Sequence, residues 1–144
     1  MILILIICYF EEKINAIAEK VDLIVLPEMF TTGFTMNPST VGETMQGETI
    51  SWLQSLAKSK NSAITGSLII EENNNFYNRL VFVFPSGEIQ FYDKRHLFTL
   101  AGEDKVYNSG TEKLIVDYLG WRICPLVCYD LRFPIWARQR STYD

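Results

Sequence analysis

The stretch over residues 76–84 sets the tightest limit on how this chain can fold. Leu80, Phe82 and Phe84 alternate there with Val81 and Val83, so a strand in this place is apolar on both faces. A sheet built around it needs a cover on each side. The flanking pattern says what the covers are. Residues 22–26 read as a short buried strand ended by Pro27. Residues 48–58 bring Ile50, Leu53, Leu56 and Ala57 to one helical face. Residues 63–70 are a second apolar run, Asn73-Asn74-Asn75 a turn, residues 88–92 a strand after Pro85-Ser86-Gly87, and residues 113–118 and 121–128 two more strands around Gly120. Strand, helix, strand, helix and then a run of strands is a mixed α/β order. Its helices can cover one sheet face, so the other calls for a second sheet.

Three segments read differently. Residues 29–47 and 94–112 are irregular, and long loops in a compact domain are often functional. Residues 11–20 place Ile14, Ile17 and Ala18 on one face and predict an amphipathic helix. Residues 1–10 are wholly apolar. They lack the basic start and small-residue cleavage site of a signal peptide and are too short to span a bilayer, so they are expected to form a buried strand. Residues 133–140 are expected to begin a helix, with Pro134 at its first position.

With 144 residues the chain has the length of one domain, and 48% hydrophobic with 21% charged residues is an ordinary globular composition. The net charge of -4 argues against a nucleic-acid partner. The odd cysteine set, Cys8, Cys124 and Cys128, has no secretory signal beside it and points to reduced thiols in the cytoplasm. Cys124 and Cys128 do not make a C-x-x-C pair, and His96 is the only histidine, so no metal site is expected.

Four residue positions carry possible chemistry. Cys128 ends an apolar run, where a sharp strand-to-helix turn would raise its sulfur beside free backbone N–H groups suited to an oxyanion. Taken alone it is also a plausible buried structural cysteine. Glu28 follows the run Leu23 to Pro27, at the rim of the sheet, where partial desolvation suits a general base; the plain alternative is a surface carboxylate. Lys94 follows Phe91-Tyr92-Asp93 and is either a cation pointing into a cleft or half of an exposed ion pair. Glu103 alone reads as a loop charge. His96, near Lys94, reads as a structural or supporting residue.

Together these segments resemble the nitrilase, or carbon–nitrogen hydrolase, superfamily. The motifs are Leu26-Pro27-Glu28-Met29-Phe30, Tyr92-Asp93-Lys94-Arg95-His96-Leu97-Phe98 and Val127-Cys128-Tyr129-Asp130-Leu131-Arg132-Phe133-Pro134, in that order. Thr31-Thr32-Gly33-Phe34 and Arg132-Phe133-Pro134 add a likeness to omega-amidases. The resemblance implies the N-terminal part of a four-layer α-β-β-α sandwich, so that residues 1–144 form a single, incomplete carbon–nitrogen hydrolase domain. It implies Glu28, Lys94 and Cys128 as base, cation and nucleophile, with Glu103 as a second glutamate. It further implies substrate contacts from Tyr129 and Arg132, no cofactor, a small amide substrate, a thioester intermediate and a homodimer. The rival expectation is a non-catalytic truncated fragment or interaction subunit of the same fold.

Overall fold

The computed structural model describes residues 2–138. Helix α1 (Ile2–Asn15) comes first, then β1 (Leu23–Val25), the short α2 (Pro38–Val41), α3 (Glu48–Lys60), β2 (Ala63–Glu72), β3 (Asn75–Val83) and β4 (Ile89–Asp93). Strands β5 (Val116–Tyr118) and β6 (Trp121–Ile123) follow, then a 3₁₀ turn over Cys128–Arg132 and the single-turn α4 (Pro134–Ala137).

The main sheet has the order β1-β2-β3-β4. β1 is parallel to β2, and β3 is antiparallel to both β2 and β4, so β1, β2 and β4 run the same way. The β2–β3 hairpin closes through Asn73 and Asn74, both at positive φ (52° and 60°), the two-residue loop whose twist matches that of the strands. Both faces of the hairpin are covered. Ile64, Leu68, Ile70, Val81 and Val83 pack with Ile50, Leu53, Leu56 and Ala57 of α3 and with Ile14 of α1. On the opposite face Ala63 and Phe82 pack with Val116 and, around them, Tyr118 and Ile123 of the β5–β6 pair. The helical cover on one side and the second sheet on the other are the layers that the two-faced strand requires.

Three local expectations are corrected. Residues 1–10 are not a strand: from Ile2 onward they belong to α1. Leu3, Ile6, Ile7, Phe10 and Ile14 turn inward at helical spacing, while Ile4, Leu5 and Tyr9 face out. No turn residue separates the apolar run from Glu11-Glu12-Lys13, so the helix runs through both; the periodicity of a short apolar run does not distinguish helix from strand. The helix expected over residues 11–20 accordingly ends at Asn15, and Ile17 lies exposed. The strand expected over residues 121–128 stops at Ile123, just before a stretch in which Pro125 offers no ladder N–H. Beyond Arg138 the helix expected over residues 133–140 lies outside the described residues.

Candidate active site

Parallel strand directions bring distant residues to one rim. β1 and β4, at opposite edges of the sheet, run the same way and so finish at the same end of it, and Glu28 and Lys94 lie just past those finishes. Gly66 lets the chain leaving β1 cross β2 closely; a Cβ there would lie 2.7 Å from Leu26 Cβ. Ser67 then holds the turn after Glu28, accepting from the Met29 N–H at its hydroxyl (2.9 Å) and from the Phe30 N–H at its carbonyl (3.2 Å). Met29 sits at φ 46°, strained for a side-chain-bearing residue. Lys94 is anchored through its N–H to the Asn78 carbonyl (3.0 Å), and its own carbonyl accepts from Gly110 N–H (3.0 Å).

The side chains form a buried ionic cluster. Lys94 Nζ donates to Glu28 Oε1 at 2.8 Å and to Glu103 Oε2 at 2.9 Å. Lys94 and Glu103 are wholly buried, and the Glu28 side chain is 20% exposed. Glu103 also accepts from the Phe98 N–H. Asn78, on β3 and fully buried, donates through Nδ2 to Glu28 Oε1 (2.8 Å) and Glu103 Oε1 (3.1 Å). Burial alone would pull the Lys94 pKa down. The hydrogen bonds and charges of Glu28 and Glu103 outweigh it and hold the ammonium above the ordinary lysine range.

Cys128 opens the 3₁₀ turn at φ 45°, an unusual conformation for a residue with a side chain. Cys128 is exposed, and it and Glu28 line one cavity of about 100 Å³ together with Leu26, Ser67, Leu80 and Val127. Burial, then the charge and hydrogen bond of Glu28, push the Cys128 pKa up, and the Lys94 ammonium only partly opposes them. At neutral pH the sulfur therefore rests as a thiol, with Glu28 on the wall of the same cavity. At the first turn of this element, the N–H groups of Cys128 and Tyr129 have no backbone acceptor among the described residues.

Asp130 ties this turn to the strand that carries Lys94. Fully buried, it accepts from Val127 N–H (3.1 Å), Tyr92 Oη (2.8 Å) and His96 N–H (2.8 Å), and pairs with His96 Nδ1 (2.9 Å). The His96 ring stacks on Phe133 with centroids 3.7 Å apart, so the one histidine faces Asp130 and not the thiol. Tyr129 is half-buried, edge-on to Phe98 and Phe133, whereas Arg132 is exposed.

The structure thus gathers Glu28, Lys94, Glu103 and Cys128 at one rim, keeps Tyr129 beside them and leaves Arg132 on the surface. Sequence reasoning passed over Asn78 and singled out no role for Asp130. An amide beside Arg79 in the middle of a strand was the available signal, because a buried polar group needs a partner. Among the described residues no cluster of His, Cys, Asp and Glu is arranged to hold a metal ion, and no helix is long and apolar enough to cross a membrane.

Comparisons with known proteins agree with this geometry. The carbon-nitrogen hydrolase family matches residues 2–142. The omega-amidase YafV of Escherichia coli (strain K12) is 43% identical over 136 residues, 94% of this chain and 52% of that protein. The 2-oxoglutaramate amidase of Bacillus subtilis is 32% identical over 93% of this chain and 52% of its own length. A crystal structure of a CN-hydrolase superfamily protein from Xanthomonas campestris, with an arsenic adduct in its active site, superposes with a TM-score of 0.90 at 41% identity, covering 94% of this chain and 51% of that one. The chain spans about half the length of the curated relatives it matches.

Proposed function

The chain belongs to the carbon-nitrogen hydrolase family, and from that premise we propose that its site is the core of a thiol-dependent amidase. The observation that carries the proposal is the placement of Glu28, hydrogen-bonded to the Lys94 ammonium at 2.8 Å, on the wall of the same small cavity as Cys128. The reaction follows from that placement. The Cys128 sulfur attacks the amide carbon while its proton passes to Glu28. The Lys94 ammonium and the Tyr129 N–H stabilise the oxygen as it takes up negative charge. Collapse of the tetrahedral adduct breaks the C–N bond, and Glu28 gives its proton to the departing ammonia, leaving a thioester. Water then attacks the thioester, with its proton moving to Glu28. The carboxylic acid departs, and the proton on Glu28 returns to the sulfur. Glu103 holds Lys94 in place throughout and needs no proton transfer of its own.

The substrate class we assign is small dicarboxylate monoamides, 2-oxo acid amides among them, on the strength of the omega-amidase and 2-oxoglutaramate amidase relatives. Arg132 remains the proposed partner of the substrate carboxylate, reached from its surface position once that carboxylate is bound. The setting we propose is the cytoplasm, with the whole protein a homodimer.

A second reading also has an observation behind it. The cavity beside Cys128 is about 100 Å³, smaller than typical substrate pockets, and the chain spans half the length of its relatives. Residues 1–144 by themselves would then be a non-catalytic fragment or interaction subunit. Ammonia release from omega-amides separates the two, measured for this chain and for a version extended past Asp144. In the active form, Cys128→Ala is expected to abolish release and Cys128→Ser nearly so. Cys8→Ala and Cys124→Ala should keep it, apart from packing losses of about 1 kcal/mol. Equal sensitivity at all three cysteines would contradict the nucleophile assignment.

A further inference from the structure

Asn78 is a costly residue for its position. It lies in the middle layer of the fold, fully buried, and its Oδ1 has no hydrogen-bond partner among the described residues. An aliphatic side chain would satisfy the packing without leaving an orphan acceptor. What the amide does supply is a donor group aimed at two carboxylates, 2.8 Å from Glu28 Oε1 and 3.1 Å from Glu103 Oε1. The reverse amide orientation would point an oxygen at those same two anions, so electrostatics dictates the one observed.

We propose that Asn78 is a positioning residue for the Glu28–Cys128 pair. Its Nδ2 group locks the two carboxylates onto Lys94 and so fixes Glu28 in the orientation in which it meets the thiol. Glu28 needs this support because its side chain is the exposed member of the cluster, at 20%, while Lys94 and Glu103 are wholly buried. With only the Lys94 bond left, the carboxylate can rotate toward solvent and away from the sulfur. The proposal rests on the amidase reading for its functional meaning, but its test reads the thiol directly.

The ionisable groups facing Glu28 and Asn78 are Lys94, Glu103, Cys128 and, through its charge interactions with both glutamates, Tyr107. Glu28 lines the same cavity as Cys128, and after burial its charge contributes most to holding the Cys128 proton in place, with Glu103 adding to it. Any change that turns Glu28 away or neutralises it makes thiolate easier to form. The experiment is alkylation of Cys128 by iodoacetamide as a function of pH, resolved from Cys8 and Cys124 by peptide mass spectrometry. It compares the parent chain, Glu28→Gln, Asn78→Ser and the double variant, each first checked for cooperative unfolding.

Glu28→Gln is expected to speed alkylation near pH 7.5. Asn78→Ser should act in the same direction, by about threefold. On top of Glu28→Gln, Asn78→Ser should add nothing, because Asn78 acts through Glu28. Should Asn78→Ser fail to fold, Asn78→Thr, suited to a strand and keeping one hydroxyl donor, carries the same comparison. An unchanged rate in the Asn78 variant, with Glu28→Gln still effective, overturns the positioning role and leaves the site intact. Additive effects overturn it equally. If Glu28→Gln itself has no effect, the failure lies with the Glu28–Cys128 reading and not with Asn78 alone.

Discussion

At the scale of single residues, the site resolves a conflict between burial and charge. An unpaired lysine as buried as Lys94 would tend to lose its proton; two carboxylates and the resulting hydrogen bonds keep the ammonium charged. Tyr92 and Tyr107 are shifted the same way: burial first, then Asp130 for Tyr92 and the Glu103 and Glu28 charges for Tyr107, push their phenols above the ordinary range. A group whose pKa is raised by folding contributes stability that is complete below its unfolded value and is lost as pH rises through the folded one. The unfolded values are about 10 for tyrosine and about 10.4 for lysine. Cys124 and Cys128 are raised as well, from an unfolded value of about 8.5, so urea midpoints should stay level from neutral pH to about 8 and fall beyond it. Lys94→Met should lower the unfolding free energy at pH 7 by about 3–5 kcal/mol, since it leaves a buried Glu103 without its cation, and should soften the alkaline fall. A midpoint that climbs above pH 10 would contradict the assignment of these shifts.

Among the elements, the 3₁₀ turn over Cys128–Arg132 is too short to hold itself in place. One buried carboxylate does that work: Asp130 joins the start of the turn, the Tyr92 phenol at the end of β4 and the His96 segment. Trp136 Nε1 adds a bond to the same Tyr92 oxygen at 3.0 Å, so α4 is fastened to the same post. Cys128 is thereby kept in register with Lys94 by an element contact and not by its own strained backbone. Asp130→Ala is expected to destabilise the chain by about 3 kcal/mol or more, because several buried donors lose a charged acceptor at once. Asp130→Asn, which keeps the shape and one acceptor, should cost less. Equilibrium urea unfolding measures both, and equal losses for the two would show that shape and not charge carries the clamp.

For the molecule as a whole, the covering of the sheet is uneven. α1 and α3 close one face, but the β5–β6 side is thin: Leu119 and Trp121 are largely exposed, and with Leu23, Tyr118 and Ile123 they border an open recess of about 560 Å³ beside β1. Val25 on β1, at the edge of the sheet order, is exposed as well. Apolar surface gathered this way favours association. Residues 1–144 alone are expected to self-associate or to be poorly stable and to lack full turnover, as sedimentation against a version extended past Asp144 would reveal; a monodisperse, stable, fully active monomer would refute this. How far the sequence reaches also differs with scale. The two-faced strand around Phe82, the helical face of α3 and the Asn73–Asn74 turn were legible because apolar period and turn chemistry act over a few residues. Glu28, Lys94 and Cys128 were less so: each alone read equally as an ordinary residue, and only the three motifs together singled them out. The run before Glu11 was expected as a strand because a short apolar run carries no decisive period, and the helix is settled by Phe10 and Ile14 packing onto the core that includes Phe30. Asn78 stayed hidden for a related reason: an amide in a strand has meaning only when its partners are known, and these lie 50 and 25 residues away in the chain. The sequence by itself determined the strands of the main sheet and the turn between β2 and β3, but not the helix at the start of the chain or the early end of β6. Tertiary structure alone decided that distant strand ends meet, because strand direction and register, not local preference, set the distance between Glu28 and Lys94 across 66 residues of chain.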